Sequence, residues 1–169
     1  MKKLIMLNGT MGVGKTAVCQ ALLETLEPAV FLDGDWCWLM RPFVVTDETK
    51  AMVMDNIAHL LNNFLRASVF DYVIFCWVMQ EQAILDDVLS RLQPGAYETH
   101  CFTLTAARET LIARLQADID AGLRQNDVIQ RSLARMPLYD QLQTTKIDTT
   151  HLTVTQTAQA IAKVVQTKI

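Results

Sequence analysis

The chain has 169 residues, 51% of them hydrophobic, enough to enclose one core of ordinary domain size without material for a second. Its 15 Lys and Arg against 18 Asp and Glu leave a formal charge of −3, which excludes the broad positive field that holds nucleic acid. No apolar run reaches membrane-spanning length, and the run at residues 4–7 is too short for a signal peptide, so a cytoplasmic protein, monomer or homodimer, with no membrane partner is expected.

Apolar blocks bounded by turn residues alternate with stretches of helical period, the pattern of a parallel sheet covered on both faces. The first strand, residues 3–8, runs through Leu4-Ile5-Met6-Leu7 into a glycine-rich loop, and a helix follows over 15–26. A second strand, 29–33, ends in Asp33-Gly34-Asp35. The next helix, 47–67, starts after Thr46 and places Val53, Ile57, Leu60 and Phe64 on one face. A third strand over 72–79 leads into a helix over 80–92, and Pro94-Gly95 breaks the chain before a fourth strand, 99–104. Helices over 106–121 and 127–142 flank a polar segment, 122–127, that reads as a mobile lid; a short strand at 146–148 and a helix at 155–165 complete the pattern. With no repeat, low-complexity tract or linker, the reading is one domain, 1–169, with a substrate region about 34–68 and a lid about 118–135. Cys19, Cys37, Cys76 and Cys101 lack C-x-x-C spacing and read as reduced core thiols; His59, His100 and His151 lack metal-ligand spacing.

The chemistry concentrates in Gly9-Thr10-Met11-Gly12-Val13-Gly14-Lys15-Thr16, which satisfies the phosphate-loop pattern G-x-x-x-x-G-K-S/T. Such a loop points backbone N–H groups at phosphate oxygens, and the helix start beyond it, Ala17 included, adds partial positive charge. Lys15 is placed to reach the outer phosphates of ATP, and the Thr16 hydroxyl to ligate Mg2+. Asp33 and Asp35, one residue apart in extended chain, project to the same side at the strand end where ligands of open parallel sheets bind. One can hold the magnesium hydration shell while the other accepts the proton of an attacking hydroxyl.

Other phosphate-loop classes fit less well. Thr145-Lys146-Ile147-Asp148 matches the guanine-reading N/T-K-x-D element of GTPases, yet no D-x-x-G follows the third strand. Hydrolytic ATPases end an apolar strand in a carboxylate, whereas here Val78-Met79 runs into Gln80. The expected activity is transfer of the ATP γ-phosphoryl group to a hydroxyl of a small-molecule acceptor; a nucleotide-binding sensor or slow NTPase without such an acceptor is the alternative.

Four segments resemble the small-molecule kinases related to shikimate kinase, gluconate kinase, adenylylsulfate kinase and chloramphenicol phosphotransferase. They are the phosphate loop, Leu32 through Asp35, the stretch from Leu104-Thr105 to Arg114-Leu115, and Arg135-Met136-Pro137-Leu138-Tyr139 followed by Ile147-Asp148-Thr149. The resemblance implies a three-layer α/β/α P-loop NTPase fold, a five-stranded parallel sheet with the phosphate-loop strand in the middle, and a closing lid. It further implies that Asp33 orients magnesium through water and that Asp35 anchors or deprotonates the acceptor. Arg114 and the loop containing Thr150 would border the adenine, Arg124 would neutralise the moving phosphoryl group from the lid, and Arg135 would approach substrate or nucleotide from the helix after the lid. In place of the glycine-rich substrate loop of shikimate kinases stand Trp77, Val78, Met79 and Gln80, and with Trp36, Trp38, Met40 and Phe43 these point either to core or to an aromatic-walled pocket for a nucleoside or antibiotic-like alcohol. Arg41 either meets an anionic group there or lies exposed before Pro42.

Overall fold

The computed structural model describes residues 1–167. The elements run β1 (Lys2–Asn8), α1 (Lys15–Thr25), β2 (Ala29–Asp33), a 3₁₀ turn (Gly34–Trp38), α2 (Asp47–Arg66), β3 (Tyr72–Cys76), α3 (Gln82–Ser90), β4 (Tyr97–Thr105), α4 (Arg108–Asp120), α5 (Val128–Asp140), β5 (Thr145–Asp148) and α6 (Val154–Gln166). All five strands are parallel in the order β2-β3-β1-β4-β5, an α/β P-loop kinase-like fold with the phosphate-loop strand in the centre.

Residues Leu4 to Leu7 are all buried because β1 is covered on both faces, which is why its sequence is continuously apolar instead of alternating. Alternation survives in the packing. Ile5, Leu7 and Ile74 join the cluster built with α1, α4 and α6, while Leu4, Met6, Val73 and Phe75 join the one built with α2 and α3. The chain lays β2 and β3 to one side of β1 and then crosses to build β4 and β5 on the other, so a crevice opens beyond the carboxyl end of β1.

Several boundaries differ from the sequence expectation for local reasons. The third strand ends at Cys76, three residues short of 79: Cys76 is in register with Asp33, the last residue of β2, and with Leu7, one residue before the end of β1. The chain continues as a loop clipped by the Asn8 side chain, whose Nδ2 donates to the Met79 carbonyl at 2.6 Å and whose Oδ1 accepts from the Met79 N–H at 3.0 Å. The buried stripe of α2 is Val53, Ile57 and Leu61, with Leu60 and Phe64 half-buried at its margin. A reciprocal Thr46–Thr49 cap starts that helix. All four cysteines are free; Cys19 and Cys76 are core, Cys37 and Cys101 half-buried. Among the described residues no helix is long and apolar enough to cross a membrane.

A candidate active site at the carboxyl edge of the sheet

The loop after β1 turns through glycines with positive φ. A Cβ on Gly12 (φ +81) would stand 2.4 Å from Leu115 Cδ2 on α4, so the loop can lie against that helix only without a side chain. Gly14 (φ +103) has nothing within 4 Å of its missing Cβ and faces open space at the start of α1. No side chain caps α1, and its first backbone bond runs from the Val18 N–H to the Gly14 carbonyl, so the N–H groups of Lys15, Thr16 and Ala17 are left for an outside acceptor. Lys15 lies over the loop, its Nζ donating to the Gly9 carbonyl at 2.7 Å and the Thr10 carbonyl at 3.1 Å. Burial holds the Lys15 ammonium below its ordinary pKa, and the carboxylates of Asp35 and Asp33 oppose that shift.

Asp33, at the end of β2, is buried; its Oδ2 accepts from Thr16 Oγ1 at 2.7 Å and its Oδ1 from the Asp35 N–H at 3.0 Å. One carboxylate thus fixes the loop threonine and caps the 3₁₀ turn that presents Asp35. Gly34 makes that turn possible, because a Cβ there would lie 2.5 Å from Trp77 Cγ. The Asp35 side chain opens into the crevice. Desolvation by the crevice walls and the charge of Asp33 raise its pKa, while Lys15, the Trp77 indole and Arg124 pull it back.

The segment between α4 and α5 begins with a Schellman motif at the end of α4: the Leu123 N–H donates to the Asp118 carbonyl and the Gly122 N–H to the Ile119 carbonyl, with Gly122 at φ +73. This reversal brings Arg124 back over the crevice, where its Nε pairs with Asp118 Oδ2 at 2.9 Å.

Two connected clefts result. The first, about 490 Å³, is lined by Gly12, Lys15, Thr16, Asp33, Asp35 and Arg124, among others. The second, about 660 Å³, has an apolar wall of Trp38, Phe43, Trp77 and Ile84 and a basic one of Lys50, Arg131 and Arg135. Met11, Asp35, Val78 and Arg124 border both. Arg131 is paired with Asp127 and Lys50 with Asp47, whereas Arg135 has no ion pair among the described residues. A smaller hollow of about 270 Å³ lies on the other side of the loop, between Val13, Gly14, Arg114, Thr149 and Leu152. Arg114 is fixed there by hydrogen bonds to Thr149 Oγ1 (3.0 Å) and the Thr149 carbonyl (2.8 Å).

The phosphate loop, Asp33, Asp35, Arg114 and Arg124 therefore converge, with Trp77 and Arg135 in the adjoining cleft. Two residues singled out in the sequence lie apart from the clefts. Arg41 is exposed and lines neither, and Thr150 is used in its own turn, its hydroxyl donating to Asp148 Oδ1 and accepting from the Ala107 N–H. Trp36 stacks edge-on against Phe31 outside the cleft, and Trp38 packs beside Phe43 within it. Lys146 of the GTPase-like match turns back to the Leu142 carbonyl at 2.6 Å, and Asp148 Oδ1 is taken by Thr150, so neither is presented to a base. Sequence reasoning passed over Asn8, Lys50 and Ser132. Asn8 carries a local signal as the buried polar residue that ends an apolar strand; the other two carry none.

A magnesium ion suits the Thr16 and Asp33 oxygens, because Mg2+ binds through one or two protein oxygens and completes its shell with phosphate and water. No group of three or more His, Cys, Asp or Glu that could hold a metal ion gathers among the described residues.

This arrangement of parallel sheet and phosphate loop defines a P-loop kinase-like fold. Residues 5–131 match the family described as AAA domain, and the chain belongs to that family. No curated protein matches it significantly. Among solved structures it is similar to a tunicamycin resistance protein of Deinococcus radiodurans (22% identity, 99% of this chain and 98% of that one, TM-score 0.72). It is also similar to a gluconokinase of Sinorhizobium meliloti 1021 (16%, 98% and 94%, TM-score 0.66) and to a shikimate kinase of Acinetobacter baumannii (20%, 98% and 93%, TM-score 0.59). At these identities the likeness establishes the fold, which the chain shares with that gluconokinase and shikimate kinase.

Proposed function

We propose that this chain transfers the γ-phosphoryl group of ATP to a hydroxyl of a small acceptor with an apolar or aromatic body. The observation that carries this reading is that Asp35 and Arg124 border both the phosphate cleft and the aromatic cleft. A hydrolase needs room only for water beside the phosphates; a second cleft of about 660 Å³ at the same carboxylate suits an organic nucleophile.

The triphosphate lies along the loop N–H groups and the start of α1, with Lys15 against the outer phosphates and the adenine in the hollow by Arg114. Thr16 and Asp33 would hold Mg2+, which when bound neutralises phosphate charge. The acceptor packs its body against Trp38, Phe43 and Trp77 and turns its hydroxyl to Asp35. The acceptor oxygen forms a bond to the γ-phosphorus as the bond to the bridging oxygen breaks; the hydroxyl proton goes to Asp35 and ADP carries away the bond electrons. Lys15 and Arg124 face the developing charge, so catalysis is positioning plus electrostatic stabilisation. Desolvation by the crevice walls and the charge of Asp33 raise the pKa of Asp35, which makes it a stronger base than an ordinary aspartate.

The test is a thermal-shift and ADP-release screen across nucleosides, sugar acids, amino alcohols and antibiotics with ATP and magnesium. Acceptor-dependent ADP release from a hydroxylated aromatic or amphipathic compound supports the reading. Tight nucleotide binding without release for any acceptor would assign the chain to nucleotide sensing instead.

A further inference from the structure

Ser132, on α5, is fully buried, and its hydroxyl does not serve its own helix. Its Oγ donates to the Met11 carbonyl at 2.7 Å and lies 2.9 Å from Thr10 Oγ1, while Thr10 Oγ1 donates to the Ser132 carbonyl at 2.9 Å. A carbonyl only accepts and each hydroxyl has one proton, so satisfying both carbonyls sends the serine proton to Met11 and the threonine proton to the Ser132 carbonyl. Two bonds therefore join the phosphate loop to a helix more than a hundred residues away in sequence.

The Met11–Gly12 peptide is trans, since the cis bonds among the described residues are Glu27–Pro28 and Arg41–Pro42. In a trans peptide the carbonyl and the following N–H point in opposite directions. Pinning the Met11 carbonyl on α5 therefore turns the Gly12 N–H away from that helix. That N–H has no protein acceptor among the described residues, and Gly12 lines the phosphate cleft. A glycine at this point is free to rotate unless something outside the loop holds it.

We infer that Ser132 is a positioning residue that locks the Met11–Gly12 peptide so that the Gly12 N–H faces the phosphates, and that it thereby fixes α5 to the phosphate loop. This rests on the reading of the loop as a nucleotide site. The same helix carries Arg131 and Arg135 into the acceptor cleft, so one buried hydroxyl sets the basic wall of that cleft against the phosphates.

The experiment titrates wild-type protein and Ser132→Ala with ADP plus magnesium and with adenosine, and compares the ratio of the two affinities. Adenosine has no phosphate and does not depend on the loop peptide. Ser132→Ala is expected to weaken ADP by about 5- to 30-fold, the effect of one misoriented donor and an unpaired carbonyl, with adenosine within about twofold. A general loosening of the fold would weaken both equally, and that result, or an unchanged ratio, overturns the inference. Wild-type protein that binds no ADP would defeat the nucleotide reading itself, a distinguishable outcome. Should Ser132→Ala not fold, Ser132→Cys keeps the volume with a weaker donor, and the same ratio is expected to fall in the same direction; an unchanged ratio there is equally decisive.

Discussion

Replacing Gly34 by Ala tests the architecture of the site at its narrowest point. The backbone of Gly34 is not in the left-handed region, so alanine meets no conformational penalty there. The obstacle is Trp77: the new Cβ would lie 2.5 Å from Cγ, 2.6 Å from Cδ1 and 2.9 Å from Cβ of that residue. Carbon atoms pack at about 3.5–4.0 Å, so the overlap is on the order of 1 Å. It falls on the root of the indole and not its tip, and the Trp77 N–H is held by the Leu7 carbonyl at 3.3 Å, so the ring cannot swing clear by a rotamer change. Overpacking of this kind costs about 1–3 kcal/mol. For a chain of this size each kcal/mol moves the midpoint by roughly 2–4 °C, giving an expected fall of about 2–12 °C. Because Asp35 and Trp77 shift together, acceptor turnover should drop by up to about 10²-fold while ADP affinity stays near wild type. Differential scanning fluorimetry, tryptophan emission and an ADP titration read the three effects. Adding Trp77→Ala to Gly34→Ala should recover part of the lost stability beyond the additive sum. A midpoint within about 1 °C of wild type, with unaltered turnover, would refute the reasoning, since overpacking at Trp77 predicts at least about 2 °C.

Gly14→Ala makes the opposite case: it meets no atom within 4 Å, but its φ of +103 should cost about 1–2 kcal/mol, visible as a lower midpoint. Lys15→Ala should weaken ADP roughly 10- to 100-fold and leave adenosine binding unchanged; equal affinities for ADP in both proteins would contradict its place over the phosphates. Asp35→Asn should lower turnover by about 10²–10⁴-fold and yet raise the thermal midpoint at neutral pH. The sign follows from the raised pKa. The folded state holds the Asp35 proton more tightly than the unfolded chain, so wild-type stability falls as pH rises from the ordinary aspartate range through the raised value, and the amide removes that loss. A midpoint difference between the two proteins that does not shrink on acidification would speak against it. Arg124→Ala should reduce turnover by about 10²–10³-fold with ADP affinity within a few-fold, measured by steady-state kinetics and calorimetry.

The phosphate loop was legible because its signal is local: eight consecutive residues between an apolar strand and a helix specify both backbone shape and chemistry. The acidic pair was legible from its place at a strand end, but Asp35 reaches the crevice from the 3₁₀ turn of Gly34–Trp38 and not from extended chain as the spacing predicts. Trp77 and Arg135 were readable only as alternatives, since a tryptophan after a strand or an arginine on a helix has the same local appearance in core, cleft or solvent. Arg41 and Thr150 stood near the right segments in sequence, but the turns around them direct Arg41 outward and tie Thr150 to Asp148 and Ala107. The third strand extends three residues too far in the sequence reading because apolar character continues to Met79, whereas pairing with β2 stops at Asp33 and the Asn8 side chain holds the Met79 backbone in a loop.

By itself the sequence determined the alternation of strands and helices, the central phosphate loop and the carboxylates beside it, because periodicity, glycine placement and residue spacing act over a few neighbouring positions. The tertiary structure alone decided which distant groups meet: Ser132 on Met11, Gly34 under Trp77, and Asp35 and Arg124 at the junction of two clefts. Those meetings depend on how helices pack across the sheet, and packing is settled by the sum of many weak apolar contacts that no single stretch of chain encodes.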